Sequence, residues 1–160
     1  MPQEIERKFL VKGDFRPDAV KVLQIAQGYL NSEKERTVRI RTRDNRGFIT
    51  VKGESSEDGT SRFEWEHEIP YEDAAAMLKL CEPGTIEKSR YLVPSGRHTF
   101  EVDVFHGNNE GLTVAEIELK YPNEKFERPW WLGEEVTGDP RYYNSALSRN
   151  PYKNWKPQNQ

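Results

Sequence analysis

Apolar and charged residues alternate along most of this chain. In "EIERKFLV" (4–11), Ile5, Phe9 and Val11 take one parity, while Glu4, Glu6 and Lys8 take the other. A strand sends successive side chains to opposite faces, so this pattern predicts a strand with one apolar and one charged face. Similar alternation predicts strands over 4–12, 20–30, 36–43, 47–53, 62–69, 85–93, 98–106 and 111–120. "RDNRG", "PSGR" and "HGNNEG" supply turn residues between neighbouring segments, and the polar stretch "ESSEDGTS" reads as a long loop.

Two segments have helical rather than strand periodicity. "YEDAAAMLKLC" (71–81) puts Ala74, Met77, Leu78 and Cys81 on one stripe, carries Glu72 and Asp73 in its first turn, and is stopped by "EPG". After "TGDP", Asp139 is placed to cap a second helix with Pro140 at its first position, running through "RYYNSALS" and ending before Pro151. Strands in series with inserted helices indicate an α+β fold built on an antiparallel sheet.

The charged faces are unusually pure. Arg39, Arg41 and Arg43 oppose Val38 and Ile40; Lys52 opposes Ile49 and Val51; Lys88 and Arg90 share a parity. Glu64, Glu66 and Glu68 alternate with Phe63, Trp65, His67 and Ile69. Glu101 and Asp103 alternate with Phe100, Val102 and Val104, and Glu116, Glu118 and Lys120 with Ala115, Ile117 and Leu119. A solvated outer face would mix in Ser, Thr, Asn and Gln. Here the charge is also sorted by strand, with cations at 36–43, 47–53 and 85–93, anions at 62–69, 98–106 and 111–120, and both at 4–12.

Composition agrees with a polar interior. Only 34% of the 160 residues are hydrophobic and 32% are charged, yet aromatics reach 11% and net charge is only -3, which argues against disorder. The length fits one domain, 1–160. Eight strands closing into a barrel, charged faces inward and helices packed outside, would satisfy the pattern. Such a lumen is costly unless both signs are neutralised. Clustered Arg and Lys suit a polyanion, and clustered carboxylates suit a divalent cation with oxygen ligands, so a metal-bound polyphosphate meets both needs. His67 has the outward parity and reads as structural.

Other classes are disfavoured. The slightly acidic balance gives no broad basic surface for nucleic acid. No apolar run approaches the length of a membrane span, and no signal peptide precedes "QEIERKF". The lone Cys81 excludes an internal disulfide and favours a reducing compartment, so a cytoplasmic location is expected. Cys81 reads as a structural thiol rather than a nucleophile.

"EIERK" matches the ExExK signature of the CYTH superfamily, the triphosphate tunnel metalloenzymes. "RTVRIR", "TVKG", "EWEHEIP", "EKSRY", "FEVDVF", "AEIEL" and "LGEEVTGDPRYYN" follow in the order and approximate spacing of its short bacterial members, so the resemblance covers essentially the whole chain. It implies a closed eight-stranded antiparallel tunnel holding a triphosphate, with a C-terminal helix near one tunnel end. Glu4, Glu6, Asp103, Glu116 and Glu118 match the metal-binding acids. Lys8, Arg39, Arg41, Lys52, Lys88 and Arg90 match the phosphate-binding cations. Glu64 and Glu66 match tunnel acids with two roles open, a second metal or the attacking water, and together with Lys8 they are the catalytic candidates. Glu68, Glu101, Arg43 and Lys120 share the parity, and Arg141 is a candidate at the tail, where Tyr143 replaces a basic residue of some relatives.

The resemblance implies one or two Mg²⁺ or Mn²⁺ ions, with Ca²⁺ able to bind without supporting turnover, and a small polyanionic substrate for a monomer or homodimer. The expected reaction is hydrolysis of inorganic tripolyphosphate by direct attack of water, since no Ser, Cys or His emerges as a nucleophile. Rival readings are an organic triphosphatase acting on thiamine triphosphate or a nucleotide, an adenylate cyclase, and a non-catalytic polyphosphate-binding module. An organic group would need aromatic stacking at a tunnel mouth; Tyr29, Trp130 and Trp131 are read instead as packing residues.

Overall fold

The structure is a computed structural model that describes residues 5–55 and 62–155. It contains nine strands: β1 (Ile5–Val11), β2 (Lys21–Asn31), β3 (Arg36–Arg43), β4 (Arg46–Ser55), β5 (Arg62–Ile69), β6 (Ile86–Ser95), β7 (His98–Phe105), β8 (Thr113–Leu119) and β9 (Leu132–Glu135). The helices are α1 (Tyr71–Leu78) and α2 (Asn144–Arg149). The strands hydrogen-bond in the order β5-β4-β3-β2-β6-β7-β8-β1-β9. This is an antiparallel, sheet-rich α+β arrangement of nine strands, where the alternation predicts a closed barrel of eight. The additional strand, β9, is only four residues long and reads "LGEE", with no alternation to reveal it.

The chain divides into two compact units, Met1–Leu23 with Lys88–Gln160, and Gln24–Glu87. In the first, β6, β7, β8, β1 and β9 are neighbours. Their apolar face builds a core of Phe9, Val93, Phe100, Val102, Ala115, Ile117 and Leu119, closed by Phe15, Trp131 and Leu132. Trp131 packs edge-on to Phe100 at 5.3 Å and to Phe15 at 6.0 Å, confirming it as a packing residue. Trp130, by contrast, is 67% exposed, with its ring lying against Gly13. The cover over this core therefore comes from the segment around Phe126–Leu132 and the turn beginning at Phe15, not from an α-helix. Each large aromatic buried there contributes about 1.5–3 kcal/mol.

In the second unit, β2, β3, β4 and β5 form a meander. The β3–β4 turn is tight because Arg43 pairs with Arg46, and Asp44 adopts a left-handed conformation at φ 51°. Asp tolerates that conformation because its short side chain can bond locally; here Asp44 Oδ1 accepts from the Gln24 amide at 2.8 Å. Helix α1 packs on β3 and β4, burying Ala74 completely. Gly47 permits the approach: a Cβ there would lie 2.6 Å from that of Ala74. Helix cover is incomplete, since Phe63 and Trp65 on the same face of β5 stay 64% and 46% exposed.

The anticipated second helix is split. Asp139 does cap, accepting from the Arg141 amide at 3.1 Å, but the turn it starts is 3-10 and spans only Pro140–Tyr142. Tyr143 is extended, at φ -73° and ψ 140°, and α2 begins after it.

Candidate active site

In the first unit, register brings the expected charges onto one face in rows. Directly opposed residues in an antiparallel pair share a face. Glu6 faces Glu118, Lys8 faces Glu116, and Glu116 in turn faces Glu101. Asp103 faces Arg90. Glu4 lies outside the described residues.

Asp103 is the most deeply held acid, at 3% exposure. Arg90 grips it with Nε at 2.8 Å and Nη2 at 3.0 Å, and Lys88 Nζ stands 2.9 Å away. Arg90 also pairs with Glu101 at 2.8 Å. Burial opposes ionisation of Asp103, but the two cations win and hold its carboxyl below the usual range. Lys88, itself buried, is pushed down by burial despite Asp103. Both Asp103 oxygens are thus engaged by cations.

Glu6 has the opposite electrostatics. Partial burial, then Glu116, with Glu118 and Glu101 adding, raises its carboxyl above the usual value, while Lys8 opposes the shift. Lys8 reaches Glu116 at 3.5 Å. The resulting excess of negative oxygen donors around Glu6 suits a hard divalent cation. Among the described residues no group of three acids is arranged to hold a metal by itself.

Two tail residues complete this face. The Tyr143 ring lies 4.8 Å from Lys8 Nζ, and Asn144 Oδ1 accepts from Lys88 Nζ at 3.3 Å. Arg141 is held instead by Asp139 at 2.8 Å, and its guanidinium stands over Tyr142 and Trp155.

The second unit carries its own charged face, again in rows across β3, β4 and β5. Thr37, Lys52 and Glu64 form one row, Arg39, Thr50 and Glu66 the next, and Arg41, Phe48 and Glu68 the third. Lys52 meets Glu64 at 3.5 Å. Thr50 donates to Glu66 Oε1 at 2.7 Å and accepts from Arg39 Nη2 at 3.4 Å. Phe48 lies beneath three guanidiniums, those of Arg41, Arg43 and Arg46, at 5.4, 5.1 and 5.4 Å. Arg46 also holds Glu68, with Nε at 2.9 Å. Arg39 Nε is buried without a hydrogen-bond acceptor, which suits a bound oxyanion. The strand β2 departs from the pattern: Ile25, Gln27 and Tyr29 share the face of Arg43, Arg41 and Arg39 but are uncharged. Tyr29 therefore stands on the charged face.

Cation and acid strands are thus neighbours. β4 lies beside β5 with β3 on its other side, β6 lies beside β7, and Lys8 of β1 is opposite Glu116 of β8, so part of the charge is neutralised within each unit. Thr50 and Phe48 were not singled out from the sequence, although they share the parity of Lys52, and that parity is the signal that could have found them. Tyr143 and Asn144 carried no such signal, because their placement depends on how the tail folds back.

The CYTH domain pattern matches residues 2–143 of the chain. Over 157 residues the chain is 50% identical to a protein named inorganic triphosphatase from Acetivibrio thermocellus, covering 98% of this chain and 99% of that protein. A second inorganic triphosphatase, from Nitrosomonas europaea, is 37% identical over 150 residues, covering 91% and 96% of the two chains. A crystal structure of an inorganic triphosphatase superposes with a TM-score of 0.75 at 33% identity, covering 92% of this chain and 95% of that one. The pattern spans most of the chain and the relatives cover nearly all of it, so the chain belongs to the CYTH domain family.

Proposed function

We propose that this protein hydrolyses inorganic tripolyphosphate to pyrophosphate and phosphate with the help of a divalent metal. The observation that carries the reading is the joint presence, on one face, of an excess of carboxylates around Glu6 and of the cations Lys8, Lys88 and Arg90. The relatives named inorganic triphosphatase support the choice of substrate. A closed tunnel is part of the proposal.

Glu4, Glu6, Glu116 and Glu118 would hold Mg²⁺ or Mn²⁺, which neutralises phosphate oxygens and polarises the transferred group when bound. Asp103, expected among the metal-binding acids, has both oxygens taken by Arg90 and Lys88, so in this proposal it works through those two cations, holding them toward phosphate oxygens. Lys8, Arg39, Arg41 and Lys52 supply further donors that straighten the phosphate chain and absorb charge as the terminal bond loosens. Glu66, with Glu64 beside it, orients a water for in-line attack. A new bond forms from the water oxygen to the terminal phosphorus, the bridging P–O bond breaks, pyrophosphate leaves with the electron pair, and the water proton passes to the carboxylate. The lone thiol Cys81 is consistent with a cytoplasmic enzyme, and among the described residues no helix is long and apolar enough to cross a membrane.

The test is phosphate release from tripolyphosphate, ATP and thiamine triphosphate, each with Mg²⁺ and with Mn²⁺. Fastest release from tripolyphosphate is expected. A preference for either organic substrate, or a cyclic nucleotide formed from ATP, would reassign the substrate. Saturable binding with no product from any of them would make the protein a binding module.

A further inference from the structure

We infer that Thr50 is a positioning residue for the reaction, fixing the carboxylate of Glu66 through its hydroxyl. The inference rests on the reading of Glu66 as the group that orients water. Thr50 is 2% exposed, and it occupies the middle strand of three. Register sets it directly opposite Arg39 on one side and Glu66 on the other. A threonine hydroxyl has one proton to donate and two lone pairs to accept with. Here the proton goes to Glu66 Oε1 at 2.7 Å, an ordinary length for a well-formed O–H···O bond. A lone pair receives Arg39 Nη2 at the longer distance of 3.4 Å.

The neighbouring rows show what the hydroxyl does. In the row of Lys52, the middle strand carries a cation that meets Glu64 directly at 3.5 Å. In the row of Phe48, Arg46 holds Glu68. Glu66 has only a loose ion pair with Arg39, at 3.7 Å. Its short, directional bond is the one from Thr50. The side chain of Glu66 is 44% exposed, so packing alone does not hold its rotamer. A buried, β-branched donor with a restricted χ1 is a fixed anchor for such a carboxylate. It leaves the second oxygen of Glu66 available to a water while Arg39 stays directed toward phosphate.

The test compares Thr50→Val, which keeps the shape and removes the hydroxyl, with Thr50→Ser, which keeps the hydroxyl, and with Glu66→Gln and the Thr50→Val/Glu66→Gln pair. Tripolyphosphate hydrolysis with Mg²⁺ should show kcat lowered by roughly 10- to 100-fold in Thr50→Val, with KM little changed. Thr50→Ser should recover most of the rate. The double variant should be no slower than Glu66→Gln, since Thr50 acts through that carboxylate. Melting temperatures of the same four proteins and the parent, without substrate, should show non-additive effects of the two substitutions. Equal losses in Thr50→Val and Thr50→Ser, a rise in KM alone, or additive effects on rate and melting would overturn the inference. An impaired Glu66→Gln beside a fully active Thr50→Val would overturn it while leaving the role of Glu66 intact. A fully active Glu66→Gln would remove the reading of Glu66, and the positioning role with it.

Discussion

At the scale of single residues, Glu6 and Glu135 are shifted in opposite directions. Glu6 is raised by partial burial and by its acidic neighbours, so the folded protein resists its ionisation. A group raised in this way contributes its stabilising, protonated form below its ordinary value of 4.5 and loses that contribution as pH rises through the higher folded value. Glu6→Gln should therefore leave the metal-free protein at least as stable as the parent at neutral pH, while abolishing turnover. Melting curves and phosphate release at limiting Mg²⁺ check both halves; full activity would remove Glu6 from the metal site. Glu135 is the reverse. Arg7 donates to it from Nε at 2.8 Å and Nη2 at 2.6 Å and, with burial opposing and Thr137 assisting, lowers it to about 2. Its contribution is present above the ordinary value of 4.5 and disappears as pH falls toward 2. Arg7→Ala should lower the melting temperature by about 2–4 °C near pH 7, on the basis of about 1 kcal/mol for a partly exposed pair, with kcat unchanged. The difference from the parent should shrink as pH is lowered below 4. Arg7 shares the alternation of "EIERK" but not its charged face, and this prediction separates the two.

At the scale of elements, the β6–β7 pair is tied together by one buried carboxylate, that of Asp103. Removing Asp103 leaves Lys88 and Arg90 without their shared counter-ion in a buried setting. Asp103→Ala should cost about 3–5 kcal/mol, the range for breaking a buried ion pair by deleting one partner, and denaturant unfolding would measure it. A loss below about 1 kcal/mol would mean that water reaches the cations freely. The α1–β4 contact depends on the missing Cβ of Gly47. Gly47→Ala forces Ala74 away from 2.6 Å and should cost about 1–3 kcal/mol by overpacking. These two elements also show how far alternation can be read. The parity of Asp103 was visible in "FEVDVF", but its depth of burial was not, because depth comes from Lys88 and Asn144 closing over it. The helix expected over 71–81 was legible from its stripe and forms over Tyr71–Leu78, ending three residues early, whereas its docking on Gly47 required the register of β4 against β5. The strand β9 left no trace in the pattern, being too short to alternate.

At the scale of the whole molecule, substrate and metal together should report on the charged faces. Tripolyphosphate with Ca²⁺, as a pair that binds without turning over, should raise apparent stability by roughly 2.7 kcal/mol at a hundredfold excess over its dissociation constant. For a chain of this size that corresponds to a rise of about 5–10 °C in melting temperature. Orthophosphate should do much less, having too few oxygens to engage several strands. Lys8→Ala or Lys52→Ala should reduce the tripolyphosphate effect, and indifference of the melting temperature to both ligands would mean that the charged faces serve water alone. What the amino-acid order determined by itself was local: the strand pattern marked β1–β8, alternation assigned a face to each charge, and the order carried the motifs of the family. Alternation can do this because the two faces of a strand are set by the backbone alone. The partner of each strand, the rows that register creates, the neutral face of β2, and the hydroxyl of Thr50 between Arg39 and Glu66 were decided only by tertiary structure. Each of these depends on residues far apart in sequence, and a slip of one residue in pairing would have turned the same side chains to the opposite face.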